Sequence, residues 1–291
     1  MRALVLDGDA GIDHLALVER PVVEPGPGQV RVAMKAASLN FRDLATIQNP
    51  GIKARLPLVP LSDGCGVVEA VGEGVTRVAV GDRVAPLFFQ GWLGGAPTRP
   101  ALATALGGAL DGVAQERITL SADGVSRAPD SLSDEEAACL PCAGLTAWRA
   151  LMVEGRVKPG DVVLVQGTGG VSIFALQFAK AAGAVVIATS SSDAKLERAK
   201  ALGADHGINY RTTPDWATAM GHRRWPTAAC APRRRGRRPP CRSRAASRTR
   251  ATASRCEGRR SPQSRPPVER RRCRSAPHRP RDRARCGTSP S

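Results

Sequence analysis

Aromatic residues make up 3% of the 291 residues, with a single tyrosine, Tyr210. Histidine is scarce as well, with four copies, which leaves few imidazoles for metal binding or general-base work. No apolar run is long enough to span a bilayer, and Met1-Arg2-Ala3-Leu4-Val5-Leu6 meets Asp7 before an apolar secretory segment can form. A cytoplasmic protein with no membrane partner is expected, its body cysteines reduced. The final quarter lacks most. From Ala217 to Ser291 there is no Leu, Ile, Phe or Lys, and three acids (Glu257, Glu269, Asp282) face 23 Arg. The formal charge of +17 is therefore uneven: 23 − 3 = +20 in this tail, against 20 basic and 23 acidic residues, net −3, before it. A segment so poor in apolar side chains cannot offset the entropy of ordering its backbone, so 217–291 reads as a disordered Arg/Pro-rich tail. Its cysteines (Cys230, Cys241, Cys256, Cys273, Cys286) are irregularly spaced and form no C-x-x-C, which excludes a zinc ribbon and argues against a disulfide frame. The tail would attract polyanions through charge alone. It lacks the interleaved aromatics that stack on bases, so no specific nucleic-acid partner is expected.

The body is patterned. Val30 to Ala36 alternates as a strand, Gly64 to Gly72 is a strand bounded by glycines, and Gly81-Asp82-Arg83-Val84-Ala85 is a turn leading into another. Gly91 to Gly112 reads as loop. Ser133-Asp134-Glu135-Glu136 has the spacing of a capping box opening a short helix. A second helix is predicted from about Gly144 to Val153. Val162-Val163-Leu164-Val165 is a continuous apolar run, suited to a parallel strand covered on both faces. A helix is predicted over Ile173–Ala182, a strand over Val185–Ala188, a helix over Asp193–Leu202 and the start of a third strand at Ile208-Asn209-Tyr210. Thr213-Pro214 begins a helix that the composition does not continue.

Between the first of these strands and its helix lies Gly167-Thr168-Gly169-Gly170-Val171-Ser172. Gly167 permits a tight turn, Gly169 lets the backbone approach a pyrophosphate, and the helix beyond offers free N–H groups. Ser172 stands where the G-x-G-x-x-G pattern has its last glycine. Strand before and helix plus strand after supply the context that the motif requires. The second strand ends in Ser190-Ser191-Ser192, with Lys195 a turn later, and carries no acid to hold a ribose 2′-hydroxyl. Hydroxyls and an ammonium suit a 2′-phosphate, so NADPH is expected ahead of NADH.

Ser38-Leu39-Asn40-Phe41-Arg42-Asp43, Pro60-Leu61-Ser62-Asp63-Gly64, Val71-Gly72-Glu73-Gly74-Val75, Gly81-Asp82-Arg83-Val84, Ala143-Gly144-Leu145-Thr146-Ala147-Trp148, the glycine loop and Leu202-Gly203-Ala204-Asp205 follow one another in order over residues 1 to about 216. In these stretches the sequence resembles the medium-chain dehydrogenase/reductases, in particular their zinc-independent, quinone-oxidoreductase-like branch. The resemblance implies an α/β protein: a GroES-like β-barrel catalytic domain (1–132), then connecting helices and the N-terminal half of a Rossmann doubly wound sheet (133–216), with the site between them. It implies that Asn40 and Asp43 line the nicotinamide end, that Thr146 sits near the nicotinamide, and that Gly170 and Val171 contact the pyrophosphate. Ser191, Lys195 and Tyr210 would surround the 2′-phosphate. It also suggests a homodimer. Related reductases often place a tyrosine near the Asn-x-x-Asp segment; here Phe41, Ala45 and Ile47 occupy that region.

Zinc-dependent relatives have Cys at the start of the Asn40 segment and Gly-His-Glu around Ser62-Asp63. Neither thiol nor imidazole stands there, so no metal is expected. Cys139-Leu140-Pro141-Cys142 offers two thiols, too few for a zinc shell, and reads as buried packing. Without a Lewis acid, oxidation of an unactivated alcohol is hard, whereas hydride addition to a quinone or conjugated enone needs hydrogen bonds alone to stabilise the developing charge. A small quinone or enone is the expected substrate. Alcohol or aldehyde oxidation within the same superfamily, or polyanion binding through the tail, are the alternatives. The tail's composition is that of GC-rich coding DNA read in a shifted frame. Back-translated and shifted by one base, Ala231 to Arg238 can encode His-His-Val-Val-Glu-Val-Gly-Gly. A chain so truncated is expected to bind NADPH weakly or not at all and to be poorly soluble.

Overall fold

Alternation along the first long strand sets the core of the N-terminal lobe. Val30 and Val32 are fully buried and pack with Val68, Val84, Leu106 and Val125. In the computed structural model, which describes residues 1–49 and 56–218, β1 (Arg2–Leu6) pairs antiparallel with β2 (Leu15–Glu19). A five-stranded antiparallel sheet follows, built from β3 (Gln29–Ser38), β4 (Asp63–Val71), β5 (Arg83–Pro86), β6 (Arg117–Ser121) and β7 (Val125–Arg127) in the order β6-β3-β4-β5-β7. Single bridges, Ala3 to Gln115 and Leu6 to Leu58, fasten β1 to the segments around this sheet. Helix α1 (Phe41–Gln48) follows β3. A short α2 (Arg99–Leu102), capped by the Thr98 hydroxyl, interrupts the stretch expected to be loop throughout.

The chain then changes architecture. Ser133 and Glu136 form the expected capping box of α3 (Asp134–Ala138): the Glu136 N–H donates to Ser133 Oγ at 3.2 Å, and the Ser133 N–H to Glu136 Oε2 at 2.9 Å. The second connecting helix is longer than its sequence pattern, running over 140–154 with α4 (Leu145–Trp148) at its centre and wider, π-type turns at Leu140–Gly144 and Arg149–Glu154. In the first wide turn the Gly144 N–H reaches back five residues to the Cys139 carbonyl. Pro141, which has no N–H, lies inside it.

β8 (Val162–Gln166), α5 (Gly170–Ala181), β9 (Val185–Ser190), α6 (Asp193–Ala201) and β10 (His206–Asn209) form a three-stranded parallel sheet in the order β10-β9-β8. Its core joins Val165, Leu176, Ala179, Val186, Leu196 and Ala199. This is the βαβαβ half of a doubly wound sheet. Three expectations need correction. Helix α5 begins at Gly170 rather than Ile173, because the Ile173 N–H already bonds the Gly169 carbonyl; poor glycine propensity hid the helical turn. Strand β9 runs on through Thr189 and Ser190, which pair with β10. And β8 is not covered on both faces: Val165 is buried, while Val162 and Leu164 on the other face are 38% and 36% exposed.

Residues 216–218 are helical, two positions later than the start expected at Pro214. The Arg-rich stretch from 219 onward, with its five cysteines, lies outside the described residues, as do 50–55. Among the described residues no helix is long and apolar enough to cross a membrane.

Candidate functional site

Asn40 ends β3's exit and caps α1 in an extended conformation (φ −116°, ψ 152°). Its backbone N–H donates to Asp43 Oδ2 at 2.8 Å, and the Asp43 N–H donates back to the Asn40 carbonyl at 3.0 Å. Asp43 is 3% exposed, with Oδ1 receiving the Arg42 guanidinium at 3.3 Å. Its carboxylate is therefore spent on fixing the Asn40 turn rather than on a surface. Arg42 is held in turn by the Leu106 carbonyl (2.7 Å) and lies over the Phe88 ring, 4.8 Å from its centroid.

Below this turn lies Asp63, the first residue of β4 and fully buried. Ser62 Oγ donates to its Oδ1 at 2.6 Å, and the Cys142 backbone N–H donates to its Oδ2 at 2.7 Å. The Asn40 side-chain amide also faces this carboxylate and favours its charge. Yet Asn40 Nδ2 is buried with no hydrogen-bond partner of good geometry among the described residues. Burial pushes both Asp43 and Asp63 above the usual carboxylate range, against the pull of these donors. The Cys142 thiol is pushed up to about 11, first by burial and then by the Asp63 charge, so it is an inert thiol at neutral pH. Sequence reasoning named Asn40 and Asp43 but gave Asp63, Ser62 and Arg42 no role. The signal available was an acid at the mouth of an apolar strand.

Raised carboxyl pKa values have a signed consequence. A group that protonates more readily folded than unfolded contributes stability below its unfolded value, and this is lost as pH rises through the raised folded value. The Tm difference between Asp63→Asn and the parent should therefore move in the variant's favour as pH rises from the acid range to neutrality. Thermal melts across that range check it; a difference that is flat or moves the other way contradicts it.

The glycine turn occupies the junction of β8 and α5. Gly167 has φ +84°, and its N–H bonds the Thr189 carbonyl of β9 at 3.0 Å. Gly169 caps α5, and a side chain built on it would meet nothing within 4 Å. Gly170 and Val171 form the first turn of α5, and the Ser172 hydroxyl donates back to the Gln166 carbonyl at 3.0 Å. At the end of β9, the Tyr210 N–H donates to the Ser190 carbonyl at 3.1 Å, which brings Tyr210 beside Ser191; Lys195 is exposed on α6. Asp193, in the first turn of α6, accepts from Asn209 Nδ2 at 2.9 Å. A backbone open to approach, hydroxyls and an exposed ammonium fit a phosphorylated dinucleotide. Thr146 is exposed on α4, in the helical stretch that also carries Cys142.

The same donors do not fit a zinc ion. Both Asp63 oxygens already accept hydrogen bonds, and no group of three His, Cys, Asp or Glu comes together among the described residues.

A β-rich lobe with a buried Asn/Asp cluster, bonded to a parallel half-sheet with an open glycine turn, defines a two-lobed nucleotide-binding α/β protein. Comparison with known proteins sharpens this. Residues 26–130 match the alcohol dehydrogenase GroES-like domain, and 170–225 match a family described as zinc-binding dehydrogenase. A zinc-type alcohol dehydrogenase-like protein of Schizosaccharomyces pombe is 51% identical over 222 residues, covering 75% of this chain and 64% of that protein. The cobalt- and zinc-bound thermostable alcohol dehydrogenase of Pyrobaculum aerophilum is similar at 33% identity and TM-score 0.67, covering 76% of this chain and 68% of that one. A quinone oxidoreductase of Pseudomonas syringae pv. tomato DC3000 is similar at 34% identity and TM-score 0.62, covering 76% and 63%. The chain belongs to the medium-chain dehydrogenase/reductase family. It spans 64% of the length of the S. pombe relative.

Proposed function

We propose that this protein descends from an NADPH-dependent reductase that delivers hydride to a quinone or conjugated enone without a metal. The observation that carries the reading is Asn40 Nδ2, a buried amide with a donor unspent among the described residues, on a turn that Asp43 fixes through the Asn40 backbone N–H. An unspent, pre-positioned donor is what a developing enolate or phenolate oxygen requires. When bound, the dihydronicotinamide supplies the hydride. The residues of this chain do the rest: Asn40 donates to the substrate oxygen, Asp43, itself held by Arg42, fixes the Asn40 backbone, and Phe88 closes the apolar side of the Arg42 guanidinium. Gly169 and Gly170 admit the pyrophosphate, while Ser191, Lys195 and Tyr210 favour the 2′-phosphate. The likeness to the quinone oxidoreductase, and to a mycobacterial protein solved with NADPH (31% identity, TM-score 0.60), supports this choice. An NAD-dependent alcohol dehydrogenase at 41% identity and TM-score 0.67 supports the second reading, alcohol oxidation.

We infer also that the Arg-rich segment is translated out of frame. The family match ends at residue 225, and the composition changes over the same few residues. The nucleotide sequence around codons 216 to 232 tests this: one added or missing base beside an open reading frame is the expected result.

Restoring that frame permits the functional test. With a naphthoquinone as acceptor, the restored chain should oxidise NADPH about tenfold or more faster than it oxidises NADH, and it should show no NAD⁺ reduction with a primary alcohol. Turnover of the alcohol with no quinone activity would replace this reading by the second.

A further inference from the structure

The wide turn Leu140–Gly144 meets both parts of the candidate site. On one side the Cys142 N–H donates to Asp63, 79 residues earlier in the chain. On the other, a side-chain carbon built on Gly170 would lie 3.4 Å from the Ala143 methyl. The turn runs directly into α4, which carries Thr146. We propose that Asp63 is a positioning residue, a latch whose carboxylate holds residues 140–148 against the first lobe and so sets where Thr146 and the glycine turn stand relative to Asn40. The catalytic meaning of that spacing rests on the function proposed above; the latch itself does not.

A carboxylate is required for a countable reason. The Ser62 hydroxyl donates to one Asp63 oxygen and the Cys142 N–H to the other. An acceptor-only side chain satisfies them together, whereas an amide in its place would turn a donor toward at least one. Burying the charge is costly, and an interior hydrophobe would fill the space at less expense. The position thus carries a demand beyond packing. Asp43 and Cys142 are the titratable neighbours, and Arg42 reaches the cluster through Asp43.

Hydrogen exchange on the full chain tests the latch. In Asp63→Ala, amides of 140–148 should exchange faster by about tenfold, with β3 and β4 still protected. Asp63→Asn, which keeps one acceptor, should fall between parent and Ala, and Ser62→Ala should leave 140–148 as in the parent. A second readout is site-resolved alkylation at mildly alkaline pH. Removing the Asp63 charge in Asp63→Asn should speed modification of Cys142 by about threefold or more, while Cys65, buried in β4, is unchanged. Unchanged exchange over 140–148 in both Asp63 variants overturns the proposal. So does protection lost evenly across β3, β4 and 140–148 in Asp63→Asn, which would mark plain unfolding. Should Asp63→Ala unfold the lobe, Asp63→Asn decides alone. Neither readout requires turnover, so failure of quinone reduction would count against the proposed function and leave the latch standing.

Discussion

In the frame-restored chain, Gly169→Val abolishes measurable NADPH binding and leaves the Tm within about 2 °C of the parent. Gly169 has φ −78° and ψ 171°, an extended conformation that valine adopts readily, and no atom lies within 4 Å of the carbon that would be added. The added carbon therefore meets nothing in the protein, and the side chain occupies the space in front of the turn. Gly167 gives the opposite contrast. Its φ of +84° is left-handed, so a β-branched residue there costs about 1–2 kcal/mol or more and lowers the Tm by several degrees even without cofactor. Fluorescence titration with NADPH, paired with thermal melts, separates the two. If Gly169→Val binds as the parent does, the turn is not a phosphate cradle and its glycines are matters of backbone geometry.

The second large effect concerns association. Leu164→Lys should reduce aggregation of the present chain by about tenfold, read as light scattering at matched concentration. β8 has one partner strand among the described residues, and it shows Val162 and Leu164 to solvent from the face opposite Val165. An apolar strand of this kind templates pairing with another chain, and a lysine stem and charge on that face oppose it. Val165→Lys is the control: it places the charge in the core with Leu176 and Val186 and should unfold the sheet instead. Unchanged scattering in Leu164→Lys would put the association elsewhere.

Periodicity and punctuation made much of this fold legible. The capping box at Ser133 and Glu136, the strands β3, β4, β5, β8, β9 and β10 and the glycine turn between β8 and α5 follow from local rules, because each is specified by residues close in sequence, whereas β1, β2, β6 and β7 were not read from the sequence. The start of α5 was hidden, since glycines at the opening of a helix look like loop. The exposed face of β8 was hidden too: an apolar run says what a strand could bury, not what covers it. In the site, Asn40 and Asp43 were marked by the family resemblance. Asp63 was not, since its meaning lies in a bond to Cys142 across 79 residues. The capping role of Asp43 was equally out of reach, because a carboxylate three residues after an asparagine reads the same whether it is buried or faces a cofactor.

Arg83 has one more consequence. Its guanidinium takes Asp134 at 2.8 Å and the carbonyls of Leu132 (2.9 Å) and Pro129 (3.4 Å), riveting the strap between the two sheets to β5. A strap so fastened cannot act as a pivot. The next turn is tied down as well, through the Cys142 N–H on Asp63, so the nucleotide half is joined to the first lobe at two successive fastenings rather than by a free linker.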